Sequence, residues 1–173
     1  MNPEERRAFV REHRTAIFGY GRAEHGPAMS IVYYVMETDD TILVSTMRDR
    51  AKAKAYERNN GKVSLCVLDE NWPPTYLQVY CDATIDTDRE HTVDVMMRIA
   101  ELMAGKPLDA SIRPLVAEGA EKEGRVVLRL SPYATFETPP RHVSDESDVK
   151  TLTHWTSASL AWNADATAPQ GGC

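Results

Sequence analysis

From Thr75 to Ile85 the chain alternates without a break. Leu77, Val79, Cys81, Ala83 and Ile85 fall on one side, and Tyr76, Gln78, Tyr80, Asp82 and Thr84 on the other. A period of two over such a length predicts a long strand with one face in a core and a polar, aromatic face turned elsewhere. A strand of this kind needs partners, and the sequence offers several. Ala16–Tyr20, Ile31–Met36, Ile42–Thr46, Val63–Leu68 and Arg125–Leu130 are short apolar or β-branched runs bounded by turn residues. Thr38-Asp39-Asp40 separates two of them as a hairpin loop, which points to antiparallel pairing. Helical patterns are few. Asn2 caps a first helix with Pro3 at its first position, Asp49 to Asn60 reads as a second, and Asp88 opens a third that Gly105 and Pro107 end. Val93, Met96, Met97, Ala100 and Met103 make one apolar stripe on that third helix, read as the face that packs on the sheet. Asp109 to Gly119 suggests a further short helix. Many strands with few long crossovers predict a mainly β, α+β fold: an antiparallel barrel with flanking helices, not a parallel doubly wound sheet.

With 173 residues, the length suits one domain. That domain is placed at residues 1–140. Residues 141–173 change character: from 144 onward Asp145, Glu146, Asp148 and Asp165 face only Lys150, among Ser, Thr, Ala and Gly. This reads as an acidic, mobile tail, although Trp155 and Trp162 are side chains able to dock on the body, on a partner subunit or at the mouth of a site. No run is long and apolar enough for a spanning helix, so no membrane insertion is expected. The charged start MNPEERRAFVREHR lacks a signal core, which predicts a cytoplasmic protein.

Familiar reaction centres are missing from the sequence. Cys66, Cys81 and Cys173 are odd in number and widely spaced, and the five histidines show no ligand spacing, so neither a disulfide framework nor a metal site is predicted. No nucleophile elbow, zinc-helix or phosphate-loop motif occurs. Gly19 and Gly21 are only a fragment of a dinucleotide fingerprint. A net charge of −6 argues against nucleic acid.

One segment reverses that charge. Residues 48–62 carry Arg48, Arg50, Lys52, Lys54, Arg58 and Lys62 against Asp49 and Glu57, six positive minus two negative, or +4. Several of these cations stand at a predicted helix start, where the helix dipole disfavours them. An anion bound there makes sense of the placement, with backbone N–H groups, cations and the Ser45 and Thr46 hydroxyls converging on one phosphate. A solvated charged face is the other reading of the charge alone.

The stretch Ile42-Leu43-Val44-Ser45-Thr46-Met47-Arg48-Asp49-Arg50-Ala51-Lys52-Ala53-Lys54 resembles the phosphate-binding segment of the pyridoxamine 5′-phosphate oxidase-like split β-barrel flavoproteins. Within them it is most similar to the deazaflavin (coenzyme F-420) dependent reductases. Supporting matches are the Gly26-Pro27 turn, Val63 to Val67, Trp72, Gln78-Val79 and Arg125 to Pro132, so the resemblance spans roughly residues 10 to 140. It implies a split antiparallel β-barrel with flanking helices, homodimeric, with cofactor sites at the subunit interface. Arg50 and Lys52 would hold the cofactor phosphate with Ser45 and Thr46, in a segment that includes Met47 and Ala51. Met29, Ser30 and Ile31 would run along the ring, and Trp72, Tyr76 and Gln78 would come from the second subunit. The sequence departs from the family pattern at Cys81, often a glycine, at Ala55-Tyr56, often Asn-Leu, and at Asn60-Gly61, often Asp-Pro.

The implied activity is hydride transfer from reduced deazaflavin to an unsaturated small-molecule acceptor, with Tyr76 and Tyr80 as possible proton donors. Such chemistry belongs to the cofactor and needs no side-chain nucleophile. FMN is the alternative cofactor, since Arg50 and Lys52 suit either phosphate; the surplus cations Lys54, Arg58 and Lys62 favour the acidic polyglutamate tail of the deazaflavin. A module that holds a flavin or haem without turnover is the third reading.

Overall fold

The computed structural model describes residues 1–22, 24–58, 60–71, 75–137 and 159–164. Helix α1 (Pro3–Glu12) begins with a reciprocal cap: Glu5 N–H donates to the Asn2 side chain while Asn2 N–H donates to the Glu5 carboxylate. Strands β1 (Thr15–Tyr20), β2 (Ala28–Tyr33), β3 (Val35–Met36) and β4 (Ile42–Met47) follow. Helix α2 (Ala51–Arg58) leads to β5 (Lys62–Asp69) and β6 (Thr75–Asp86). Helix α3 (Arg89–Ala104) starts at the Asp88 cap and ends on Gly105, whose φ of 67° suits a residue without Cβ. A single 3-10 turn (Ala110–Ile112), helix α4 (Arg113–Lys122), β7 (Arg125–Glu137) and β8 (Leu160–Ala161) complete the chain order.

The strands form one antiparallel sheet in the order β2-β1-β5-β6-β7-β4-β3, with β8 added to β7. Its two end strands are neighbours in sequence, parted only by Tyr34, so the sheet must curl on itself. The single strand predicted over Ile31–Met36 is therefore broken. At Tyr34 the chain leaves β1 and joins β4, while the tyrosine points inward and its hydroxyl donates to the Val10 carbonyl at 2.7 Å. The hairpin predicted around Thr38 to Asp40 is the β3–β4 connection, with Asp40 at φ 69°.

β6 behaves as its alternation predicts. Leu77, Val79, Cys81 and Ala83 are buried inside the curl with Phe18, Leu65, Ile42, Val44, Leu128 and Leu130. Cys81 fits there as a small apolar side chain, and burial pushes its thiol well above the ordinary range. β7 runs past its predicted end at Leu130, because Pro132 is absorbed in a bulge: Cys81 pairs with Pro132 and Tyr80 with Ala134, leaving Tyr133 as the extra residue.

The outer faces differ. Over β7, β4 and β3 the side chains of Val127, Leu43 and Val35 pack beneath Val95 and Ile99 of α3. Over β1, β2 and β5, Ile17, Met29, Ile31 and Leu68 remain exposed. Of the segment read as a mobile tail, residues 159–164 are held against the body. Trp162 is 3% exposed in the main core, and Arg6 Nη1 donates to the carbonyls of Trp162 and Ala164 at 2.9 and 2.7 Å. Trp155 lies outside the described residues. No helix among them is long and apolar enough to cross a membrane.

Candidate functional site

The curl is not sealed. β4 pairs with β7 along its whole length from Ile42 to Met47, but with β3 only at Ile42 and Leu43. β2 pairs with β1 on one side, and no described strand pairs with its other side. Two unpaired strand edges thus face a common cavity of about 390 Å³, with Ile31, Val32 and Tyr33 from β2 on one wall and Ser45, Thr46 and Met47 from β4 on another. Arg50 and Lys52 enter from the start of α2, Arg125 from the start of β7, and Met96, Ile99, Ala100 and Met103 from α3.

Three cations therefore share one hollow. Among the described residues the Arg50 Nε donates only to the weakly accepting Met47 sulfur, at 3.4 Å. Burial pushes the Lys52 ammonium below its ordinary pKa, and the Arg50 and Arg125 charges push it further in the same direction. No carboxylate among the described residues pairs with Arg50 or Lys52. Arg125 does have one, Glu123, at 2.6 Å. The Ser45 Oγ is sealed from solvent without a hydrogen-bond partner among the described residues, and Thr46 is buried beside it. An orphaned buried hydroxyl costs free energy unless something completes it. The first turn of α2 contains no acid, so its free backbone N–H groups add to the same positive field. The site has the donors of an anion-binding cavity.

The predicted residues divide between places. Ile31, Ser45, Thr46, Met47, Arg50 and Lys52 all line this cavity. Ala51 is exposed at the head of α2 and does not line it. Ser30 alternates to the opposite side of β2, where its Oγ is buried without a partner among the described residues. Met29 and Gln78 meet in a separate hollow of about 420 Å³ on the outer face, with Tyr80, Tyr133 and Lys62. Gly19 makes its floor possible, since a Cβ there would lie 2.8 Å from the Ser64 hydroxyl oxygen. Tyr76 stands beyond it, opposite Leu68 on β5. Within one chain, then, Gln78 and Tyr76 do not reach Arg50 and Lys52. Trp72 lies outside the described residues.

Two parts of the cavity escape the sequence reading. Arg125 opens β7, and only the register that sets it opposite Met47 brings it in. The α3 stripe does not make the sheet contact predicted for it: Val95 and Ile99, which lie outside the stripe, pack on the sheet, while Met96, Ala100 and Met103 line the cavity together with Ile99. Their spacing carries a signal, but not its direction. The surplus cations do not join the site either. Lys62 is bound to Asp82 at 2.6 Å and sits 4.0 Å over the Tyr133 ring, and Lys54 faces Asp49 at 3.6 Å. The Arg58 side chain lies outside the described residues. No group of His, Cys, Asp and Glu among the described residues could hold a metal ion.

Comparison with known proteins agrees with this architecture. The family model for pyridoxamine 5′-phosphate oxidase matches residues 3–138. No curated protein matches the chain. Among solved structures, the conserved hypothetical protein Rv2991 of Mycobacterium tuberculosis superposes with a TM-score of 0.67 at 20% identity, over 85% of this chain and 94% of that one. An F-420 reductase superposes with a TM-score of 0.57 at 18% identity, over 74% and 93% of the two chains. HutZ, the haem storage protein of Vibrio cholerae, does so with a TM-score of 0.53 at 18% identity, over 76% and 91%. At these identities the likeness is one of fold, shared by a reductase and by a storage protein.

Proposed function

The chain belongs to the pyridoxamine 5′-phosphate oxidase family, and from that premise we propose that it is a deazaflavin (coenzyme F-420) dependent oxidoreductase acting on an unsaturated small molecule. The observation that carries the proposal is the cavity between the free edges of β2 and β4. There Arg50 and Lys52 lack acidic partners among the described residues, and the Ser45 hydroxyl is buried without an acceptor or donor among them. A phosphate answers all three needs at once: it neutralises cations, takes up the hydroxyl and accepts from the α2 backbone.

When bound, the deazaflavin supplies the hydride. The protein's part is to hold and orient. Arg50, Lys52, Ser45 and Thr46 grip the phosphate, and the free edge of β2 at Met29 to Ile31 offers backbone groups to the polar rim of the ring. Met96, Ile99, Ala100 and Met103 close one side with apolar surface that keeps water off the charged contacts, which strengthens them.

A homodimer completes the proposed site. Ile17, Met29, Ile31 and Leu68 form an apolar outer face next to Tyr76, Gln78 and Tyr80. A second copy seated on that face would bury it and bring its own Tyr76 and Gln78 toward the ring. Light scattering of the purified protein should report two chains per particle; a monomer that still binds cofactor would remove the second subunit from the site.

FMN is the second reading, favoured by one observation: Lys54 and Lys62 have their own carboxylates and leave fewer cations for a polyglutamate tail. Titration of the protein with coenzyme F-420 and with FMN, followed by fluorescence, separates the two. Tight F-420 binding with turnover of an enone acceptor is expected. Arg50→Ala and Lys52→Ala each take one charged donor from the phosphate and should weaken binding by about 1.5–3 kcal/mol. Binding unchanged in both variants would reduce the basic segment to charged surface, and cofactor held without turnover would make the protein a carrier.

A further inference from the structure

Arg125 lines the same cavity as Arg50 and Lys52, yet it alone of the three is held by an acid among the described residues. Its Nε donates to one oxygen of Glu123 at 2.6 Å, and its Nη2 lies 2.6 Å from the same oxygen. The turn builds this contact. Glu123 ends α4, Gly124 reverses the chain at a left-handed φ of 59°, and Arg125 starts β7 opposite Met47. Glu123 does not line the cavity, so its carboxylate grips the guanidinium from outside. Nη1 has no hydrogen-bond partner among the described residues.

We propose that Arg125 is a third ligand of the bound phosphate and that Glu123 is its standing counter-charge, setting how strongly the cavity prefers a phosphorylated cofactor to the same ring without phosphate. The proposal rests on the phosphate reading of the cavity and extends it to two residues outside the basic segment. Three like charges around one hollow repel, and Lys52 registers that repulsion from Arg50 and Arg125. Glu123 relieves it, three positive charges less one, at the expense of attraction for an incoming anion. The phosphate has to share Arg125 with a carboxylate already in place. Glu123 never touches the ligand; it acts through Arg125 as a positioning residue.

The test compares each phosphorylated cofactor with its phosphate-free chromophore, FMN against riboflavin and coenzyme F-420 against its deazaflavin chromophore, in wild-type protein and variants. In whichever pair binds, Glu123→Gln should tighten the phosphorylated member by about tenfold, the scale of one charge-assisted hydrogen bond, and move the other by less than about twofold. Arg125→Ala should weaken the phosphorylated member by a similar factor. The double variant should match Arg125→Ala alone, because Glu123 has no other route to the ligand. A Glu123→Gln variant that leaves both members unchanged, or shifts them together, overturns the proposal; a joint shift would mark a fold effect at the α4–β7 turn. The two readings fail separately. If wild-type protein made no distinction between phosphorylated and phosphate-free members, and Arg50→Ala with Lys52→Ala altered neither, the phosphate site itself would be lost. If that distinction held but ignored Glu123, only the present proposal would go.

Discussion

The two ends of the curled sheet treat positive charge in opposite ways. Near α1 the arginines meet acceptors supplied by the protein itself. Arg6 is fully buried with the carbonyls of Trp162 and Ala164 on its guanidinium, and Arg7 and Arg11 both reach Asp40, at 2.6 and 3.2 Å. Asp40 also accepts from the Trp162 indole at 2.9 Å. At the other end, between β2 and β4, Arg50 and Lys52 share a cavity without a carboxylate of their own among the described residues, beside a buried hydroxyl without a partner there. In the first arrangement protein carbonyls and Asp40 meet the cations, and these contacts contribute to stability. The second is the one that the proposed phosphate would complete, and a ligand that binds only the folded state would stabilise it.

The contrast can be broken most forcefully at Trp162. This side chain enters the core immediately after the two-residue strand β8. Trp162→Ala should destabilise the protein by about 3–5 kcal/mol, as removal of a large buried aromatic does, and release residues 159–164. Chemical denaturation reads the first effect and protease accessibility the second. Phosphate-cofactor affinity measured well below the melting temperature should hold. A variant that keeps its stability would show that the closed end is not closed by this residue.

Asp40 comes next. Its carboxylate is 16% exposed and receives three donors, and its backbone sits at φ 69°, which asparagine tolerates. Asp40→Asn keeps the shape and removes the charge, so a loss of about 1.5–3 kcal/mol in unfolding free energy is expected. Cofactor binding serves again as the unaffected control.

At the open end the sign reverses. Ser45→Ala removes a buried hydroxyl that nothing among the described residues satisfies. The variant should be as stable as the wild type or more so by up to about 1 kcal/mol, while its affinity for a phosphorylated cofactor falls by about 0.5–1.5 kcal/mol. Melting with and without cofactor measures both. A stability loss at Ser45 would mean that its hydroxyl already has a use in the fold.

The legible parts of this molecule are those decided by near neighbours in sequence. β6 declares itself because its two faces have different chemistry, and one wall of the cavity because Ser45, Thr46, Arg50 and Lys52 lie within a few positions of one another. Register and partner choice are not written that way. The break at Tyr34 exists because the chain changes neighbours, from β1 to β4, and no local signal marks it. Arg125 enters the cavity through its pairing with Met47, a contact between residues far apart in the chain. Trp162 sits in a segment whose composition reads as mobile, and its order comes from Arg6, Asp40 and β7 instead of from local propensity. The α3 methionines show the intermediate case: their spacing foretells one face, but the sheet beneath is met by Val95 and Ile99 instead, and Met96 and Met103 line the cavity beside Ile99.

The smallest effect is the most direct reading of the difference between the two ends, because arginines do not titrate in the accessible range and Lys52 does. Burial first, then Arg50 and Arg125, hold the Lys52 pKa in the folded state below its value in the unfolded chain. At neutral pH the amine is charged in both states, so folding bears the full cost of housing that charge. As the pH climbs through the folded-state pKa toward the ordinary lysine value, the folded form releases its proton first and the cost fades. Wild-type protein should therefore gain stability in that alkaline window relative to Lys52→Met, which carries no charge to lose. Saturating phosphorylated cofactor should erase the difference, since an anion beside the amine restores its pKa. Parallel melting curves for the two proteins across the alkaline range, without cofactor, would show that Lys52 already has a counter-charge and that the open end is as self-sufficient as the closed one.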